Sequence, residues 1–78
     1  MESASVGVRY DPSEPDEARV EPSGAPIYAL IADYHISEGN LEQVAADYRC
    51  SVEEVQAALD YYEQHQFAID FKIDPTRF

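Results

Sequence analysis

The chain has little positive charge, a single cysteine, no tryptophan and no long apolar run, and each shortage removes a class of function. Five Lys and Arg stand against 16 Asp and Glu, a formal net charge of −11. Such a surface repels nucleic acid and anionic lipid and favours a basic protein partner. The one cysteine, Cys50, can close no internal disulfide and has no second cysteine at ligand spacing, so a reducing, cytoplasmic setting is expected. The longest apolar run, IYALIA from Ile27 to Ala32, is far short of the roughly 20 residues a membrane helix needs. The start, MESASVGVRY, has neither the basic residues nor the apolar core of a signal peptide. No membrane partner is expected.

Catalytic and metal-binding patterns are missing too. His35, His65 and Cys50 form no nucleophile–base set, and neither histidine belongs to a ligand pair such as H-E-x-x-H. The expectation is a protein that is not an enzyme and needs no cofactor or metal.

What remains is a short chain of two compositions. With 78 residues it is one domain at most, and a domain of this size buries only about 60% of the surface its unfolded chain exposes. Residues 1–25 hold Pro12, Pro15 and Pro22 and the acids Glu2, Asp11, Glu14, Asp16, Glu17 and Glu21. This segment reads as an acidic arm, flexible or in short strands, in which VGVRY and RVEP can pair as a small hairpin around the aperiodic DPSEPDEA. Without a core of its own, it is expected to gain order only by docking on a partner or a second subunit.

From Pro26 the periodicity turns helical. Ile27, Leu30, Ile31 and Tyr34 define helix one, about Ile27 to Ser37, with Pro26 at its start and Gly39 closing it. Asn40 caps helix two, about Leu41 to Tyr48, with Leu41, Val44, Ala45 and Tyr48 on one face. Ser51 and Glu54 have capping-box spacing, so helix three starts at Val52, and with no Gly or Pro before Pro75 it is expected to run past Gln66. Its core stripe reads Val52, Val55, Leu59, Tyr62 and Ile69. The fold class is mainly all-α: a three-helix, helix-turn-helix or winged-helix-like domain over residues 26–74, preceded by the arm and followed by a tail of residues 75–78.

Helix three carries two further faces. Ala57, Ala58, Tyr61, His65 and Ala68 form a second stripe, small residues around one tyrosine, which requires a covering surface from a homodimer or a partner protein. The alternative is that the arm folds back over it. The third face is Glu53, Gln56, Asp60 and Glu63. A DNA-reading helix needs Arg, Lys, Asn or Gln toward base edges and cations toward phosphates, and this face supplies one Gln and three acids. DNA binding by the chain alone is therefore not expected, and the acidic face is expected to oppose a basic surface, as nucleases must present to attract phosphate.

The segment from Pro26 to Ile73 resembles a family of small bacterial proteins catalogued as domain of unknown function 433. The matching features are IYALIADY in helix one, VAADY in helix two, the Ser-x-Glu-Glu-Val-x-Ala-Ala-Leu-x-Tyr-Tyr opening of helix three, and His-x-x-x-Ile-Asp at His65 to Asp70. The resemblance implies a helix-turn-helix or winged-helix-like fold and a place in toxin–antitoxin pairs, as antitoxin to a PIN-like ribonuclease. Members usually carry a Gly-Thr-Arg turn before the first helix. Here the turn is Pro22-Ser23-Gly24-Ala25, without the Arg and without any phosphate contact it would make. The reading is an antitoxin that occludes its target, the Tyr61 stripe anchoring one protein interface and the acids another. The rivals are a transcription regulator using helix three, and an adaptor or assembly subunit.

Overall fold

Along the extended run Glu14–Glu21, Ala18 and Val20 turn inward and are fully buried while Arg19 between them stays in solvent, the alternation of a strand with one covered face. In the computed structural model, which describes residues 6–77, this strand (β2, Glu14–Glu21) pairs antiparallel with β1 (Gly7–Asp11). The register is Gly7↔Glu21, Val8↔Val20 and Arg9↔Arg19, with a bulge before Asp11↔Glu14. At the tip, the Asp11 carboxylate accepts hydrogen bonds from the Ser13 N–H and hydroxyl (2.9 and 2.8 Å), which fixes the turn.

Four helices follow: α1 (Ile27–Ile36), α2 (Leu41–Tyr48), α3 (Val52–Gln64) and α4 (Gln66–Ile73), then a 3₁₀ turn at Pro75–Arg77. Helix α1 is closed by Gly39, whose φ of 85° only glycine adopts without cost and whose N–H bonds the Tyr34 carbonyl at 2.8 Å. The Asn40 side chain accepts from Gln43 N–H at the start of α2, as the spacing predicts. Arg49 ends α2 in the left-handed conformation, and Ser51 opens α3. Among the described residues no helix is long and apolar enough to cross a membrane.

Two expectations are corrected. The single long third helix is two: His65 has φ −132° and ψ 36°, outside the helical region, and α4 starts after it. Neither Gly nor Pro marks the break. Across the break Ile69 is fully buried, and the Tyr62 hydroxyl donates to Asp70 at 2.7 Å. The mainly helical fold therefore holds four helices rather than three. The arm, moreover, does not stand outside the core. Ala18, Val20 and Ala25 belong to the same buried cluster as Ile27, Leu30, Ile31, Val44, Val55, Ala58 and Ile69. Short helices in so small a chain leave one apolar side uncovered, and the hairpin closes it.

Candidate interaction surface

Helix α3 is positioned by one carboxylate. The Ser51 hydroxyl accepts the Glu54 N–H at 3.1 Å while Glu54 Oε1 accepts the Ser51 N–H at 3.0 Å, the reciprocal capping box. The other oxygen, Oε2, reaches across the fold to accept the Ser23 N–H at 2.8 Å. Glu54 is only 3% exposed. Burial alone would raise its pKa, but the hydrogen bonds from Ser23 and Ser51 outweigh it and hold the carboxyl below the usual glutamate range. The turn Pro22–Ala25 thus serves to fasten the hairpin to the start of α3.

The fastening decides which stripe of α3 is core. Val55, Ala58 and Tyr61 face inward, whereas Val52 is 37% exposed and Leu59 and Tyr62 are only half-buried. The second stripe is consequently not an open surface. Ala58 is fully buried, Tyr61 is 7% exposed, and Ala57, His65 and Ala68 are half-buried. The Tyr61 hydroxyl donates to the Pro15 carbonyl at 2.7 Å. Tyr10 stands edge-on to the Tyr61 ring at 5.5 Å, and the His65 imidazole stacks on it at 4.2 Å. Burial, with Tyr10 and Asp16 nearby, pushes the Tyr61 phenol above its ordinary pKa. The expectation that this stripe awaits a second molecule is corrected: β1 and β2 cover it.

The acidic face lies where the sequence places it. Glu53, Gln56, Asp60 and Glu63 are all exposed. Beside them runs a feature the sequence reading missed, an open groove of about 420 Å³ walled by Tyr34, Leu41, Leu59 and Tyr62, with Gln56 and Glu63 on its edge. Leu59 and Tyr62, expected in the core, pack against its edge, are only half-buried and line this groove. A second hollow, about 330 Å³ on the hairpin, mixes Arg9 and Arg19 with Asp11, Glu14 and Glu17, so its charges offset one another.

A second missed feature joins α1 to α2. The Asp33 carboxyl lies beside that of Asp47, and this contact, burial and the Asp47 charge all raise its pKa. Its Oδ2 is buried with no hydrogen-bond partner. Gln43 Nε2 donates to Asp47 Oδ1 at 2.8 Å. Burial, with both acids close, pushes the Tyr48 phenol upward.

The histidines and the cysteine remain apart. His35 lies edge-on to Tyr34 and Tyr62, and His65 stacks on Tyr61. Cys50 is half-buried, and burial together with the Glu54 charge raises its thiol pKa, which disfavours the reactive thiolate. No three His, Cys, Asp or Glu side chains converge at ligand spacing among the described residues.

No protein-family model, curated protein or solved structure matches the chain. The weight of any functional reading therefore falls on the acidic face and the groove beside it.

Proposed function

We propose that the chain is a non-enzymatic protein-interaction module that presents the exposed face of α3 to a basic protein, and that its role is that of an antitoxin covering a PIN-like ribonuclease. The observation that carries the reading is the chemistry of α3. This helix follows α2 and the Arg49–Ser51 turn in the order of a helix-turn-helix, the packing the family resemblance implies. Yet Glu53, Asp60 and Glu63 occupy its exposed face, and no Lys or Arg stands anywhere between Val52 and Gln64. A surface of this kind has no cations to displace the counterions condensed on a phosphate backbone and offers no cationic fork to guanine. It complements the surface of a protein that must itself attract RNA. A homodimer through the Tyr61 stripe would require the hairpin to leave that stripe, so the acidic face is the better docking surface.

The test sets the chain against two ligands at about 0.15 M salt, where the Debye length is about 8 Å. By calorimetry it should bind the product of the gene beside its own, if that is a PIN-like ribonuclease, with affinity falling as salt rises. By fluorescence anisotropy it should show no affinity for duplex DNA from its own promoter. Submicromolar DNA binding with a steep salt slope would replace this reading with the transcription regulator, and a neighbour that binds but has no nuclease activity would replace it with the adaptor.

A further inference from the structure

The groove and the acids form one surface. Tyr34 from α1, Leu41 at the start of α2, and Leu59 and Tyr62 from α3 give the trough its apolar and aromatic walls, and Gln56, Glu63 and Gln66 line it with polar groups. Glu63 is the one charged residue that lines it, and Asp60, Glu38 and Glu42 are exposed acids next in sequence to the lining residues Leu59, Gly39 and Leu41. No Lys or Arg lines it. Arg9 pairs with Glu21, Lys72 with Glu17, and Arg19 donates to the Gly24 carbonyl, while Arg49 is exposed at the far end of α2 from Leu41.

We infer that this groove is the docking site for a basic amphipathic helix of the partner protein. The inference rests on the proposed function for the basic character of the partner and goes beyond it in naming the site and the form of the ligand. An apolar trough with polar edges is what a helix-in-groove interaction uses: anchors at i, i+3 or i+4, and i+7 enter the trough while the flanking positions meet the rim. Here those anchors meet Leu41, Leu59 and the two tyrosine rings, and lysine or arginine at the flanking positions meets Glu38, Glu42, Asp60 and Glu63. A second copy of this chain is a poor occupant, because it carries the same net charge of −11. A small apolar ligand would leave the acidic rim unused.

The site can be tested on the full chain without knowing the partner. The probes are two synthetic peptides of identical leucine and lysine composition, one ordered as an amphipathic helix and one scrambled so that no apolar stripe forms. The ordered peptide should bind at least about tenfold more tightly by calorimetry, and should shift the amide resonances of Tyr34, Leu41, Leu59 and Tyr62. Glu63→Lys and Glu53→Lys change the net charge equally at exposed positions of α3, and only Glu63 touches the groove. Glu63→Lys should weaken the ordered peptide about tenfold and Glu53→Lys no more than about twofold, with circular dichroism confirming both folds. Equal binding of the two peptides, or equal losses in the two variants, would overturn the groove and leave only diffuse charge attraction. So would shifts centred on Phe67 and Phe71, the exposed aromatic pair of α4. A complex with the ribonuclease that ignores Glu63→Lys removes the groove and keeps the antitoxin reading, whereas groove binding of the peptide without any ribonuclease complex does the reverse.

Discussion

Two acidic side chains inside the fold respond to pH in opposite senses. Asp33, beside Asp47 and with one oxygen buried and unpartnered, has its folded pKa raised above the unfolded value. The native state therefore binds the extra proton, so the contribution of Asp33 is fully present below its unfolded pKa and is lost as pH rises through the folded one. Glu54 is the reverse: its folded pKa is depressed, and its contribution is present above the unfolded value and lost as pH falls through the folded one. On acidification Asp33 should therefore add stability as it takes a proton, and Glu54 should remove it. Asp33→Asn removes the like-charge conflict and lets an amide donate to Asp47, so at neutral pH it should stabilise by about 1 kcal/mol. The advantage should shrink as pH falls through the Asp33 titration, read from urea unfolding across the acid range. An advantage that stays constant with pH would mean that the Asp33–Asp47 contact does not control it. Of these two acids the sequence shows only half of one role. The Ser51–Glu54 spacing marks a cap because both residues lie within one turn, but the bond from Ser23 to Glu54, and the meeting of Asp33 with Asp47, join separate elements that no local pattern connects.

Among the elements, α3 carries the main lesson. Its start was legible because a capping box is a local chemical device, and so was its acidic face, since charge without a partner stays in water. Which of its two apolar stripes is core was not legible. Val55 and Ile69 of the first stripe are fully buried with Ala58 and Tyr61 of the second, so the core runs between the two stripes; the hairpin covers Tyr61, while Leu59 and Tyr62 pack at the core's edge and line the groove. The end of the helix was hidden for a related reason: His65 leaves the helical region with no breaker in the sequence, its ring held on Tyr61 and its N–H still bonded to the carbonyls of Tyr61 and Tyr62 at 3.1 Å. The assignment predicts an order among variants. Tyr61→Ala removes a buried ring and its cover and should cost about 3 to 5 kcal/mol of folding stability. Leu59→Ala, on the half-buried groove wall, should cost less, about 1 to 2 kcal/mol. Tyr61→Phe isolates the hydrogen bond to Pro15 and should cost about 1 kcal/mol. Denaturant titration of the three would place them in that sequence, and a Leu59→Ala loss equal to or above that of Tyr61→Ala would return Leu59 to the core and close the groove.

At the scale of the whole molecule, composition divides the chain where the structure does not. Prolines and acids mark residues 1–25 as an arm, and the pairing of VGVRY with RVEP was legible in it, yet an alternation as short as Ala18-x-Val20 is too brief to show that one face of the hairpin belongs to the core. Removing residues 1–21 therefore tests the unity of the fold. The deletion strips Val20 and Ala18 from the core cluster, exposes Ala58 and the Tyr61 ring, and takes away the carbonyl of Pro15. Burying a valine side chain alone is worth about 1.5 to 3 kcal/mol, and the uncovered Tyr61 adds a loss of similar size. Small domains hold about 5 kcal/mol in all at the lower end of the range, so little would remain. The shortened chain should lose its cooperative thermal transition, with a helical signal by circular dichroism well below that of the same residues in the full chain. A deletion variant that still melts cooperatively within a few degrees of the full chain would show that the helices close their own core, that the hairpin is an appendage, and that the Tyr61 stripe is free for another molecule after all.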